Sequence, residues 1–154
     1  MRAHRFLIAV LVGVLLAGGI AQPAMAAQKC QCLAYVAKVT GRMGIMYAYQ
    51  APKALKRKGY HRYWPSAAGA KPRRGDIVVM MPRVMGASSL GHIGLVAGWK
   101  MKGDGRMVVW LQSANWAGLR TFRSLGCSNV SVARLPWGGT FRATSTNGLK
   151  FFRR

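Results

Sequence analysis

The chain is nearly empty of negative charge: it has no glutamate, and its two acids, Asp76 and Asp104, stand against 24 lysines and arginines, for a formal net charge of +22. An imidazole here has little chance of a carboxylate partner for its second ring proton, so any catalytic pair must be oriented by a neutral group. Histidine is scarce as well, at His4, His61 and His92, which leaves few candidates for a general base. The three cysteines are Cys30, Cys32 and Cys127, and the Cys-x-Cys spacing of the first two is not that of a structural zinc knuckle. A zinc site built from them and His92 is therefore not expected, and no cofactor is implied. Repeats and nucleic-acid recognition motifs are also missing. So is the run of about 20 apolar residues that a spanning helix needs, because Gly13, Gly18, Gly19 and Pro23 interrupt the apolar stretch that begins at Phe6.

That interrupted stretch reads as an export signal. Arg2 and Arg5 precede it, and Ala24-Met25-Ala26 supplies a small-x-small cleavage site. The expected organisation is a signal peptide over 1–26, one domain over 27–136 and a basic tail over 137–154 that holds at most an extra hairpin. The processed protein would be a secreted or periplasmic monomer. Losing Arg2 and Arg5 takes the net charge from +22 to +20. Such a charge raises the encounter rate with polyanions. Export leads away from genomic DNA and leaves cell-wall polymers, with non-specific association at anionic lipid surfaces, as the partners to expect. The cations are spread over Lys53, Lys56, Arg57 and Lys58, then Arg73 and Arg74, then Arg153 and Arg154. That dispersal suits a broad anionic surface rather than specific nucleic-acid reading.

An odd number of cysteines in an exported chain leaves one thiol free. Cys30 and Cys32 lie two apart at a helix start, where their side chains diverge, so a bridge between them would distort the backbone. Cys30 with Cys127 is the better pair, and it leaves Cys32 as the thiol.

Periodicity places Cys32 in the first turn of a helix carrying Tyr35, Val36 and Val39 and stopped at Thr40-Gly41. Pro52 opens a second, short basic helix that ends at Gly59. Tyr60 to Lys71 shows neither period and reads as a loop. Strands are expected at Asp76 to Met81, His92 to Trp99, Arg106 to Gln112 and Asn129 to Leu135, with a further one at Gly139 to Ala143. The Gly103-Asp104-Gly105 segment is a hairpin signal between the second and third. Helices first and antiparallel strands afterwards make the chain α+β, with N-terminal helices packed on an antiparallel sheet.

The chemistry follows from three residues in order. Cys32 at a helix N-terminus, in a positive field, is placed to favour thiolate. His92, after Gly91 and at the head of an apolar strand, is a better base than His61 in its basic loop. Asn115, just after a strand, can accept the imidazole's second proton through its amide oxygen. The backbone N–H of Cys32 is the expected first oxyanion donor and the Gln31 side chain the second.

Taken together, Gln31-Cys32-x-x-Tyr35-Val36, Pro72-x-x-Gly75-Asp76-Ile77-Val78-Val79, Gly91-His92-Ile93-Gly94-Leu95-Val96 and a strand ending near Asn115-Trp116 resemble the CHAP family of cysteine, histidine-dependent amidohydrolases and peptidases. The related NlpC/P60 peptidases fit less well around Cys32 and Asn115. The resemblance implies a papain-like α+β fold and cleavage of peptidoglycan amide bonds, within the peptides or between muramic acid and L-alanine. It assigns Cys32 as nucleophile, His92 as base and Asn115 as the asparagine of a Glu-x-Asn segment, with Asp76 at a structural turn. Ser113 stands where that segment has its glutamate. A catalytically weak or inactive CHAP-like cationic protein that binds anionic cell wall or membrane is the other reading this substitution leaves.

Overall fold

The computed structural model describes residues 29–65, 69–103, 107–116, 120–135 and 148–154. The expected signal peptide and the expected strand at Gly139 to Ala143 lie outside the described residues. Among those described, no helix is long and apolar enough to cross a membrane.

The fold is α+β. Helix α1 (Cys32–Thr40) and the short α2 (Ala51–Arg57), preceded by a 3-10 turn at Ala48–Gln50, come before a sheet of seven strands. The strands are β1 (His61–Tyr63), β2 (Ile77–Met80), β3 (His92–Met101), β4 (Met107–Ala114), β5 (Thr121–Ser124), β6 (Cys127–Arg134) and β7 (Leu149–Arg153). Their order across the sheet is β1-β7-β2-β3-β4-β6-β5, and every neighbouring pair is antiparallel.

Both faces of the central strands are covered. All four residues of β2 are fully buried. Ile77 and Val79 point to the layer of α1, where Tyr35 and Val36 pack with Ile93, Leu95 and Ala114, while Val78 and Met80 join a second cluster with Val96, Leu111 and Phe151. That alternation is the period of two expected of a strand. Gly41 closes α1 in a positive-φ conformation, its N–H reaching the Ala37 carbonyl at 2.9 Å.

Two expectations are corrected. Residues 61–63 form a strand rather than loop, and Leu149–Arg153, within the segment read as a basic tail, form a strand of the sheet. Strand β7 lies between β1 and β2, with Leu149, Phe151 and Phe152 fully buried. A domain boundary at 136 therefore cuts through the core. The cause is tertiary pairing: three residues of β1 carry too little periodicity to register as a strand, and they are one only because β7 pairs with them.

Asp76 anchors this C-terminal strand. Its carboxylate, 6% exposed, takes Arg153 in a two-pronged pair, with Nε to Oδ1 at 3.0 Å and Nη2 to Oδ2 at 2.6 Å. It also accepts the Arg73 N–H at 2.7 Å and the Tyr63 hydroxyl. Arg153 lies over the Tyr63 ring at 4.6 Å and donates to the Lys71 carbonyl at 2.6 Å. One of the two carboxylates in the sequence is thus consumed in joining β7 to the turn before β2.

Candidate active site

The start of α1, the head of β3 and the end of β4 converge on one open cleft of about 730 Å³. Gln31, Cys32, His92, Asn115 and Trp116 all line it. The chain closes its wall with the Met46–Ala48 segment and the 85–91 loop. Gln50 holds the first, its Oε1 accepting the N–H groups of Met46 and Tyr47 at 3.1 Å each.

Gly91 is required where it stands. Its φ is +73°, and a Cβ there would lie 2.7 Å from the Met80 carbonyl oxygen and 3.1 Å from the Tyr49 nitrogen. Close approach of three segments fixes the backbone one residue before His92. Gly94 plays a similar part: a Cβ would sit 2.8 Å from the Gln112 carbonyl oxygen, so β3 and β4 approach too closely for a side chain.

The start of α1 is tied to β6. Cys30 and Cys127 form a disulfide with sulfurs 2.01 Å apart, and Cys32 is free. Two of the four groups in the zinc alternative are thereby taken out of service as thiolates. Among the described residues no group of three or more potential ligands forms a metal site. Asn129 reinforces the tie: its Oδ1 accepts the Cys30 N–H at 2.7 Å and its Nδ2 donates to the Cys30 carbonyl at 2.9 Å. Its own carbonyl accepts the Asn115 N–H at 3.2 Å. One side chain and one peptide group thus hold Cys30-Gln31-Cys32 against Asn115-Trp116.

Electrostatics differ from the sequence expectation of a ready thiolate. Burial pushes the Cys32 thiol up, against backbone hydrogen bonds from Ile93, Leu33 and Cys32 that pull it down. Burial outweighs these bonds, which favours the neutral thiol at rest. Burial also lowers the His92 imidazole to about 4. His92 is 5% exposed, and its Nε2 is buried with no hydrogen-bond partner among the described residues. The resting pair is a neutral thiol and a neutral imidazole.

Asn115 adopts φ +55°, a left-handed conformation that asparagine tolerates, and its Nδ2 donates to Gln31 Oε1 at 2.8 Å, a bond that leaves its Oδ1, the atom expected to serve the imidazole, unused. Ser113, fully buried, donates to the Ile93 carbonyl at 2.7 Å and fills no role at the imidazole. What touches the ring is Trp116, whose centroid lies 4.1 Å from that of His92 with the planes tilted 35°. The sequence assigns Trp116 no role at the imidazole, although its place beside Asn115 was a usable signal. Asn129 offered no signal at all, because its partner Cys30 is 99 residues away.

A family model described as CHAP domain matches residues 22–116, more than half of the chain and the stretch that holds Cys32, His92 and Asn115. Neither the curated proteins nor the solved structures provide a match.

Proposed function

Because the chain belongs to the CHAP domain family, we propose that it is a cysteine amidase or endopeptidase of peptidoglycan, exported by its N-terminal signal, with Cys32 as nucleophile and His92 as its base. The observation that carries the reading is the convergence on one cleft of the only free thiol among the described residues and the buried His92 imidazole, whose Nε2 has no hydrogen-bond partner there.

With both groups neutral at rest, the thiol proton passes to His92 as sulfur attacks the amide carbonyl. The imidazolium then protonates the leaving amine, and the released amine leaves Cys32 acylated. Water, giving its proton to His92, attacks the thioester and returns Cys32 as a thiol and the product as a carboxylic acid. A positioned base of this kind contributes about 10² to 10⁴ in rate. The N–H of Cys32, which supports the sulfur at rest, is free to follow negative charge as it moves to the carbonyl oxygen. Gln31 fits the second donor, since its Oε1 is held by Asn115 and its amide N–H groups are left for the cleft. In this account Asn115 sets Gln31, and Trp116 with the buried walls sets the imidazole.

The reading of a catalytically weak or inactive cationic wall or membrane binder rests on Ser113 in the place of the family's glutamate and on the excess of lysine and arginine. The two separate cleanly. Purified wall should be solubilised by the native protein and left intact by Cys32→Ala and His92→Ala, with circular dichroism showing all three folded; solubilisation that survives Cys32→Ala and fades with salt would establish the binder instead.

A further inference from the structure

Beside the catalytic cleft lies a second depression of about 570 Å³, and Met46 lines both. Three cations line it: Lys53 and Arg57 from α2, and Lys150 from β7. Lys53 and Arg57 are four apart on a helix and share a face, where like charges destabilise each other. Lys150 is crowded too: burial, then the charges of Arg62 and Lys56, lower its ammonium. None of Lys53, Arg57 and Lys150 has an ion pair among the described residues, and the Asp76 carboxylate is spent on Arg153. The remainder of the lining is largely apolar, with Ile45, Met46, Tyr49 and Pro52 beside Gly44 and Gln50.

Cations set among apolar side chains fit a ligand that is itself mixed. A phosphodiester chain would use the charges and waste the apolar surface. A peptide carrying carboxylates among small aliphatic groups uses both. Met46 lines both, so the depression adjoins the cleft, within reach of a polymer whose amide lies at Cys32. We propose that the depression docks the carboxylate-bearing peptide arm of the same wall polymer that is cut in the cleft, an inference that rests on the peptidoglycan reading above.

The test neutralises the groove in the full-length protein with Lys53→Gln, Arg57→Gln and Lys150→Gln together. A control of equal net charge carries Lys38→Gln, Arg120→Gln and Arg123→Gln, all exposed and away from the groove. Co-sedimentation with purified wall, in a Cys32→Ala background, should weaken about tenfold for the groove variant and stay within about twofold for the control, a size set by electrostatic capture. Amidating the wall's carboxyl groups should bring the native groove down to the level of its variant. Equal binding by groove variant and control overturns the proposal. So does a difference that survives amidation and vanishes when phosphodiester polymers are stripped from the wall, since the partner is then that polymer. Hydrolysis is scored separately with Cys32 intact, on wall and on a short soluble wall peptide. If neither is cut, the peptidoglycan reading fails, whatever the binding shows; if both are cut while groove and control variants bind alike, the groove alone fails.

Discussion

Acidifying the protein from pH 7 to pH 4 should cost it about 3 kcal/mol of folding stability through His92 alone. The imidazole titrates at an ordinary 6.5 in the unfolded chain and at about 4 in the fold. That gap of about 2.5 units, at roughly 1.36 kcal/mol each, sets the size. The cause is geometric: a ring 5% exposed, with a buried Nε2 that finds no partner and an indole 4.1 Å away, is largely shielded from the solvent that would stabilise a charge. Because the folded state resists protonation, the contribution is complete above 6.5, declines as pH falls below it and is gone by about 4. Urea unfolding followed by tryptophan fluorescence, at half-unit pH steps for the native protein and for His92→Gln, isolates the effect, since every other group cancels in the difference. The native curve should fall more steeply by about 3 kcal/mol over the window. Parallel curves, or an NMR titration of His92 with a midpoint near 6.5, would refute the reasoning.

Other consequences follow from the same structure. Asp76→Asn should lower stability by about 2 kcal/mol in thermal unfolding, less than the 3 to 5 of a fully buried pair because the Arg153 side chain is 25% exposed; an unchanged melting temperature would mean β7 is held by its apolar residues alone. Gly91→Ala should cost about 1 to 2 kcal/mol for the left-handed backbone before any clash with Met80, and wall hydrolysis should show kcat falling more than KM rises, since the residue displaced is His92. Trp116→Ala should open the imidazole to water, so the acid limb of the pH–rate profile moves upward from about 4 while kcat drops; Trp116→Phe should restore most of both, and a profile unmoved by Trp116→Ala would show that the indole does not set the ring's environment.

Much of the frame was legible because its signals are local. Cys32, Tyr35 and Val36 at helical spacing, Ile77 to Met80 as a short apolar run and the glycines around His92 each declare their element within a few residues. What escaped was settled by distant partners. Strand β7 looked like a basic tail because Lys150, Arg153 and Arg154 mask Leu149, Phe151 and Phe152, and only the Asp76 clamp and the facing strands make it a central element. The sheet then makes β1 out of residues with no period of their own. At the site, residue types pointed to a thiol, an imidazole and an amide, and the structure gathers all three in one cleft. Their protonation and bonding were not legible, because the burial that raises Cys32 and lowers His92, and the Gln31 acceptor that takes the Asn115 Nδ2, exist only once the chain is folded.

The central claim is that the Cys32 thiol cuts an amide of the wall. Mass spectrometry of the fragments released from purified peptidoglycan tests it most directly, comparing the native protein with Cys32→Ala. The account predicts fragments bearing a new amine and a new carboxylate at one defined bond from the native protein, and none from the variant. The same fragments from Cys32→Ala, or none from a folded native protein, would contradict it.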